Sequence, residues 1–147
     1  MRKTYRVLAY ALAIEVIVQA MAIAYGLAGL GKWIDDNHVL TKHIWDSDKP
    51  KFTGVGGLAV HSLNGIMLIP VITLALLIVS FFAKVPDGTR RALILFGLVV
   101  LQAVLGFALH GVPFIALLHV LNAFGIMAMA FIAGYRTPKT DPVPAAG

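Results

Sequence analysis

The chain has 147 residues, of which 59% are hydrophobic and only 13% charged, with a formal net charge of +5. A soluble domain of this length cannot hide so much apolar surface, so lipid is the expected solvent, and the length allows one domain. There is no cysteine, which excludes disulfides, thiolate metal sites, iron–sulfur clusters and covalent c-type haem attachment. Lys and Arg flank the apolar runs, so the basic balance reads as membrane topology rather than nucleic-acid binding.

A spanning helix needs about 20 mostly apolar residues. Four windows qualify: 7–30, 57–83, 92–109 and 114–135. The first follows MRKTYR and contains Ala-Met-Ala at 20–22, features of a signal peptide. Its apolar run is long for a leader and carries Glu15, so it reads as a helix. The connection after it, 31–56, mixes Asp35, Asp36, Asp46 and Asp48 with four lysines and holds Trp33, Trp45, His38 and His43. Long ordered loops often act as lids; a wet loop with two interfacial tryptophans is the plainer alternative. The connection KVPDGTRR brings Lys84, Arg90 and Arg91, and the last, HGVP, has neither Lys nor Arg. With Arg2, Lys3 and Arg6 at the amino end and Arg136 and Lys139 at the carboxyl flank, positive-inside counting puts both termini in the cytoplasm. The expected fold is all-α: a polytopic membrane protein whose residues 1–136 form a four-helix transmembrane bundle. Residues 137–147 read as a disordered cytoplasmic tail.

The helices repeat. Residues 16–20 read VIVQA and 99–103 VVLQA; 61–65 read HSLNG and 119–123 HVLNA. The odd helices run outward and the even ones return, so the chain is expected to be two parallel helix-hairpin repeats about a pseudo-two-fold along the membrane normal. Such an axis would set His61 opposite His119, both within about 6–9 Å of the outer boundary at roughly 1.5 Å per residue. Asn64 and Asn122 follow one turn deeper on the same faces, and Gln19 and Gln102 are the matching polar residues of the odd helices. Polar groups in lipid normally face the bundle interior.

Three uses of the paired histidines compete. The first is packing, with His, Asn and Gln bonding between helices at about 0.6–2 kcal/mol each; a matched pair weakens it. The second is haem: two neutral imidazoles on facing helices are the axial set of a low-spin b-type cytochrome. Lys32, Lys42, His43 or His110 would then meet the propionates. Small residues such as Ala22, Gly65, Ala103, Gly106 and Ala123 would let the ring edge approach the backbone. Each ligand needs an acceptor for its Nδ1–H, most simply the carbonyl one turn back, near Gly57 or Ile115. The third is a bare zinc or copper ion, which needs more than two ligands. Pro70 should kink the second window just below the site. Glu15 reads either as a protonated or paired carboxyl or as a proton or quinone site.

LQAVLGFALHGVPFIALLHVLNAFGIMAMAF, residues 101–131, resembles the third and fourth helices of either half of the heme A synthase family, and GLAVHSLNGIMLIPVI, residues 57–72, resembles the matching second helix. The likeness covers about four-fifths of the chain, and small four-helix bacterial membrane proteins share the pattern. It implies one haem b per chain between His61 and His119, in a bacterial inner membrane. The catalytic half of that family has a Glu three residues before the second-helix His; this chain has Leu58 there, and the family's outer-loop cysteines are missing. The resemblance therefore implies the non-catalytic, haem b-binding half, with no catalytic residue. A lone haem near the outer face suits electron exchange with a quinone or an outer-side redox protein, haem handling, or an accessory role in a larger membrane complex. A homodimer would imitate the two-half enzyme. The competing class is a haem-free structural subunit of a respiratory-type complex, and a haem-modifying enzyme ranks third.

Overall fold

The computed structural model describes residues 1–47 and 52–139, and among them the chain is entirely helical, with no strand. In chain order it forms α1 (Arg2–Asp35), α2 (Lys42–Asp46), α3 (Val55–Leu63), a π-helical turn (Asn64–Leu68), α4 (Ile69–Ala83), α5 (Gly88–Ala108) and α6 (Ile115–Tyr135). Four helices are long and apolar enough to cross a membrane: α1, the continuous stretch Val55–Ala83, α5 and α6. This is the make-up of a multi-pass membrane protein.

All four expected windows are present. α1 overruns its window at both ends, because hydropathy stops at the first charges whereas the helix does not. Its last turn is followed by an i,i+4 ion pair in which Lys32 reaches Asp36 at 2.9 Å, a spacing that supports helical backbone. The short α2 has no counterpart among the windows. Thr41 caps it by accepting the Ile44 N–H at 3.2 Å, and Lys42 pairs with Asp46 at 2.5 Å. Five residues are too few to show a periodicity, so the cap is the only sequence signal for it. Asp48 and the tail beyond Lys139 lie outside the described residues. Just before them Thr137 is buried, its hydroxyl donating to the Ala133 carbonyl at 2.8 Å.

The chain divides into two compact units, one comprising Met1–Val16 and the chain from Ile69 onward, the other Ile17–Leu68. In the first, four helices share a core: Tyr5, Ala9, Leu12 and Val16 of α1, Ile69, Leu76 and Ala83 of α4, Leu95 and Val99 of α5, and Ile126, Ala130 and Ala133 of α6. The polar groups in this core are partnered. Thr73 donates to the Ile69 carbonyl at 2.7 Å, and the Tyr5 hydroxyl donates to the Gly88 carbonyl at 2.9 Å, which fastens the start of α1 to the start of α5. α6 approaches α1 where Gly134 meets the Tyr10 ring; a Cβ at Gly134 would come within 2.9 Å of that ring.

In the second unit the C-terminal half of α1 lies against α3 along a seam of small residues. A Cβ on Gly57 would run into the Ala22 carbonyl oxygen. Gly54 closes the seam with a left-handed backbone, φ 94°, and a Cβ there would lie 2.6 Å from the Tyr25 carbonyl oxygen. Close backbone approach of this kind drives helix association where lipid removes the hydrophobic gain.

Two substitutions test these contacts. Gly57→Val should destabilise the detergent-solubilised protein by about 1–3 kcal/mol through overpacking, whereas Gly56→Val, whose Cβ meets nothing within 4 Å, should leave its thermal midpoint nearly unchanged. Tyr5→Phe should cost about 1–3 kcal/mol by stranding the Gly88 carbonyl, read in the same thermal unfolding assay.

Candidate functional site

Each of the repeated pentads lies in its own unit, and each is built from one hairpin. In the second unit, His61 sits in the last turn of α3, half-buried beside α1. Its Nδ1 lies 3.2 Å from the main-chain carbonyl of Gln19. A carbonyl can only accept, so this contact puts the proton on Nδ1 and the lone pair on Nε2. The sequence suggested the carbonyl of Gly57, one turn back, as the acceptor; the acceptor is on the neighbouring helix instead. Gln19 returns the contact, its side-chain Nε2 donating to the His61 carbonyl at 2.9 Å. One residue thus holds both the ring and the backbone of His61.

The His61 carbonyl that accepts this amide lies just ahead of a π-turn. A π-turn inserts a residue and interrupts the i,i+4 ladder; here the His61 carbonyl accepts the Asn64 N–H together with the Gln19 amide. The expected disturbance at Pro70 takes this form: Asn64–Leu68 is π-helical and ends just before the proline, which has no N–H to donate. Gln19 is 8% exposed, and its Oε1 is buried with no hydrogen-bond partner among the described residues. Gly65, inside the π-turn, leaves room for the Gln19 amide; a Cβ there would lie 3.1 Å from Nε2.

In the first unit, His119 is in the second turn of α6, half-buried, with its ring over Gly106 of α5. A Cβ on Gly106 would lie 3.3 Å from Cε1 and 3.6 Å from Nδ1, so the glycine makes space for the imidazole. One turn deeper, the Asn122 amide donates to the Gln102 Oε1 at 2.7 Å and to the Leu98 carbonyl at 2.9 Å. Asn122 and Gln102, singled out separately in the sequence, therefore form one cross-helix pair. An apolar groove beside them is lined by Leu101, Leu105, Leu118, Leu121, Phe124 and Gly125, with Asn122 its polar member.

The loop residues are disposed differently. Lys32 and Lys42 are already paired with Asp36 and Asp46. The His38 ring stacks on Trp33 with centroids 4.1 Å apart. His43 and His110 are exposed, and His110 Nδ1 lies 3.4 Å from the Phe107 carbonyl. Leu58, where the heme A synthase pattern has a Glu, packs against Gly26. Among the described residues no group of three or more His, Cys, Asp or Glu side chains gathers to hold a metal ion, and a bare zinc or copper ion would need such a group. No protein-family model, no curated protein and no solved structure matches the chain.

Sequence reasoning missed two partners, the carbonyls of Gln19 and Leu98. Main-chain groups carry no residue signature, so only the repeated Gln of VIVQA and VVLQA hinted at where the histidine and asparagine would find acceptors.

A double-mutant cycle tests the second cluster. Asn122→Leu and Gln102→Leu should each lower stability by about 0.6–2 kcal/mol, and the double variant should lose less than the sum, because the two share one bond.

Proposed function

We propose that the chain is a membrane-bound b-type cytochrome that holds one haem b through His61 and His119, close to the outer face of a bacterial inner membrane. The observation that carries this reading is the His61 contact: with Nδ1 on the Gln19 carbonyl, the imidazole presents the nitrogen and the tautomer that iron ligation requires. The Gly106 cradle beneath His119 supplies a second imidazole with room for its ring. The haem, when bound, provides one-electron redox chemistry. The protein's own contribution is to fix the ring and the backbone of His61 through Gln19, to seat His119 on Gly106, and to exclude water with an apolar surround. Asn122 and Gln102 stiffen α5 against α6 one turn below His119.

This reading makes the protein an electron-transfer or haem-handling component rather than a catalyst. Leu58 supports that, being an apolar side chain packed on Gly26 where the heme A synthase likeness implies an acid. A quinone or an outer-side redox protein is the proposed electron partner, and a homodimer or a larger respiratory complex the proposed setting. A second reading, a haem-free accessory subunit, draws on the Asn122–Gln102–Leu98 bonds, which tie helices together whether or not a cofactor is present.

Reduced-minus-oxidised visible spectra separate the two. The purified wild type should show a sharp low-spin b-type α-band, absent from both His61→Ala and His119→Ala. A wild type that stays spectrally silent after haem supplementation would sink the cytochrome and leave the structural subunit.

The proposed orientation, with both termini cytoplasmic, has its own test. The chain contains no cysteine, so single replacements report cleanly. In intact cells a membrane-impermeant maleimide should label Val112→Cys, in the connection before α6, and spare Arg90→Cys at the start of α5. The reverse pattern would invert the topology.

A further inference from the structure

The cations of this protein are unevenly placed and unevenly satisfied. Arg2, Lys3 and Arg6 lie in the first turns of α1, Lys84 in the α4–α5 connection, Arg90 and Arg91 in the first turn of α5, and Arg136 and Lys139 just beyond α6. All belong to the first compact unit, and its packing brings the three segments to one end. The Tyr5 hydroxyl bonds the Gly88 carbonyl at 2.9 Å, and the Tyr10 ring lies against Gly134 and Phe131. At that end Asp87 is the one acid among the described residues, and it stands 3.7 Å from Arg91. Lys3, Arg6, Lys84, Arg90, Arg136 and Lys139 make no ion pair with any described carboxylate. Lys32 and Lys42, in the other unit, each have an aspartate.

A group of cations without a carboxylate partner among the described residues, at the edge of apolar helices, repels itself unless an anion sits among them. Folding alone would be better served by aspartates at this end, as in the 31–56 connection. We propose that this end of the first unit is a binding surface for anionic phospholipid headgroups, which supply the missing charge at the depth where the helices leave hydrocarbon. Positive charge beside a spanning helix attracts acidic lipid over roughly a Debye length, and the apolar flanks of α1, α4, α5 and α6 accept the acyl chains of the same lipid. The inference stands whether or not haem is bound.

The test uses the full-length protein in nanodiscs of equal parts phosphatidylglycerol and phosphatidylcholine, followed by mild detergent release and native mass spectrometry of retained lipid. Wild type should keep phosphatidylglycerol over phosphatidylcholine by about tenfold or more, with the preference falling steeply at high salt. The exposed-charge variant Lys3→Gln/Lys84→Gln/Arg90→Gln/Lys139→Gln should lose it while keeping its thermal midpoint in phosphatidylcholine alone. Lys32→Gln/Lys42→Gln should retain it. Equal retention of both lipids by wild type would overturn the proposal and direct attention to an acidic protein partner. So would an unchanged preference in the fourfold variant, or displacement of phosphatidylglycerol by inorganic phosphate at matched concentration, which would mark a site for soluble phosphate.

Discussion

A polar group carried into hydrocarbon must find its partner inside the protein, because no water is there to supply one. That constraint accounts for most of what is distinctive in this chain. It makes every spanning segment helical, it turns Thr73 back onto Ile69, and it ties Asn122 to Gln102 and Leu98. It also governs His61 and Gln19, whose side chains each serve the other's backbone. Two residues that would be costly alone exchange hydrogen bonds, side chain to main chain, across one helix contact.

The two hairpins solve the same problem with different means. In the α5–α6 hairpin both helices are regular, and the glutamine serves the asparagine's side chain. In the α1–α3 hairpin the returning helix breaks into a π-turn just after the histidine, and the glutamine serves the histidine's main chain. The repeats thus have unequal local geometry, and π-turns inside helices recur at functional sites.

The four spans were legible because hydropathy alone defines them. What hydropathy could not show is which side of each helix meets protein and which meets lipid, since both are apolar. Leu12 is buried and Ile14 exposed, Leu76 buried and Ile78 exposed, Leu95 buried and Phe96 exposed, and nothing in the residue types separates the members of each pair. The polar residues were better guides. His61, Gln19, Asn122 and Gln102 were singled out because they are expensive in lipid, and each lies at a helix contact. Their partners were half hidden, since main-chain carbonyls at Gln19 and Leu98 leave no mark in a sequence. The α2 helix escaped because it is a single capped turn in a polar loop.

The π-turn also sets a count. Along α4 the buried positions are Ile69, Thr73, Leu76, Ser80 and Ala83. Extended backwards without interruption, that alternation of four and three would fall on Ile66, Ser62 and Ala59, all of which are exposed. The inward positions up to the first residue of the turn are instead Gly57, His61 and Asn64, one or two residues out of phase with those after it. The helix therefore carries two registers, and the π-turn lies where one gives way to the other. An unbroken α-helix of the same sequence could satisfy one register only.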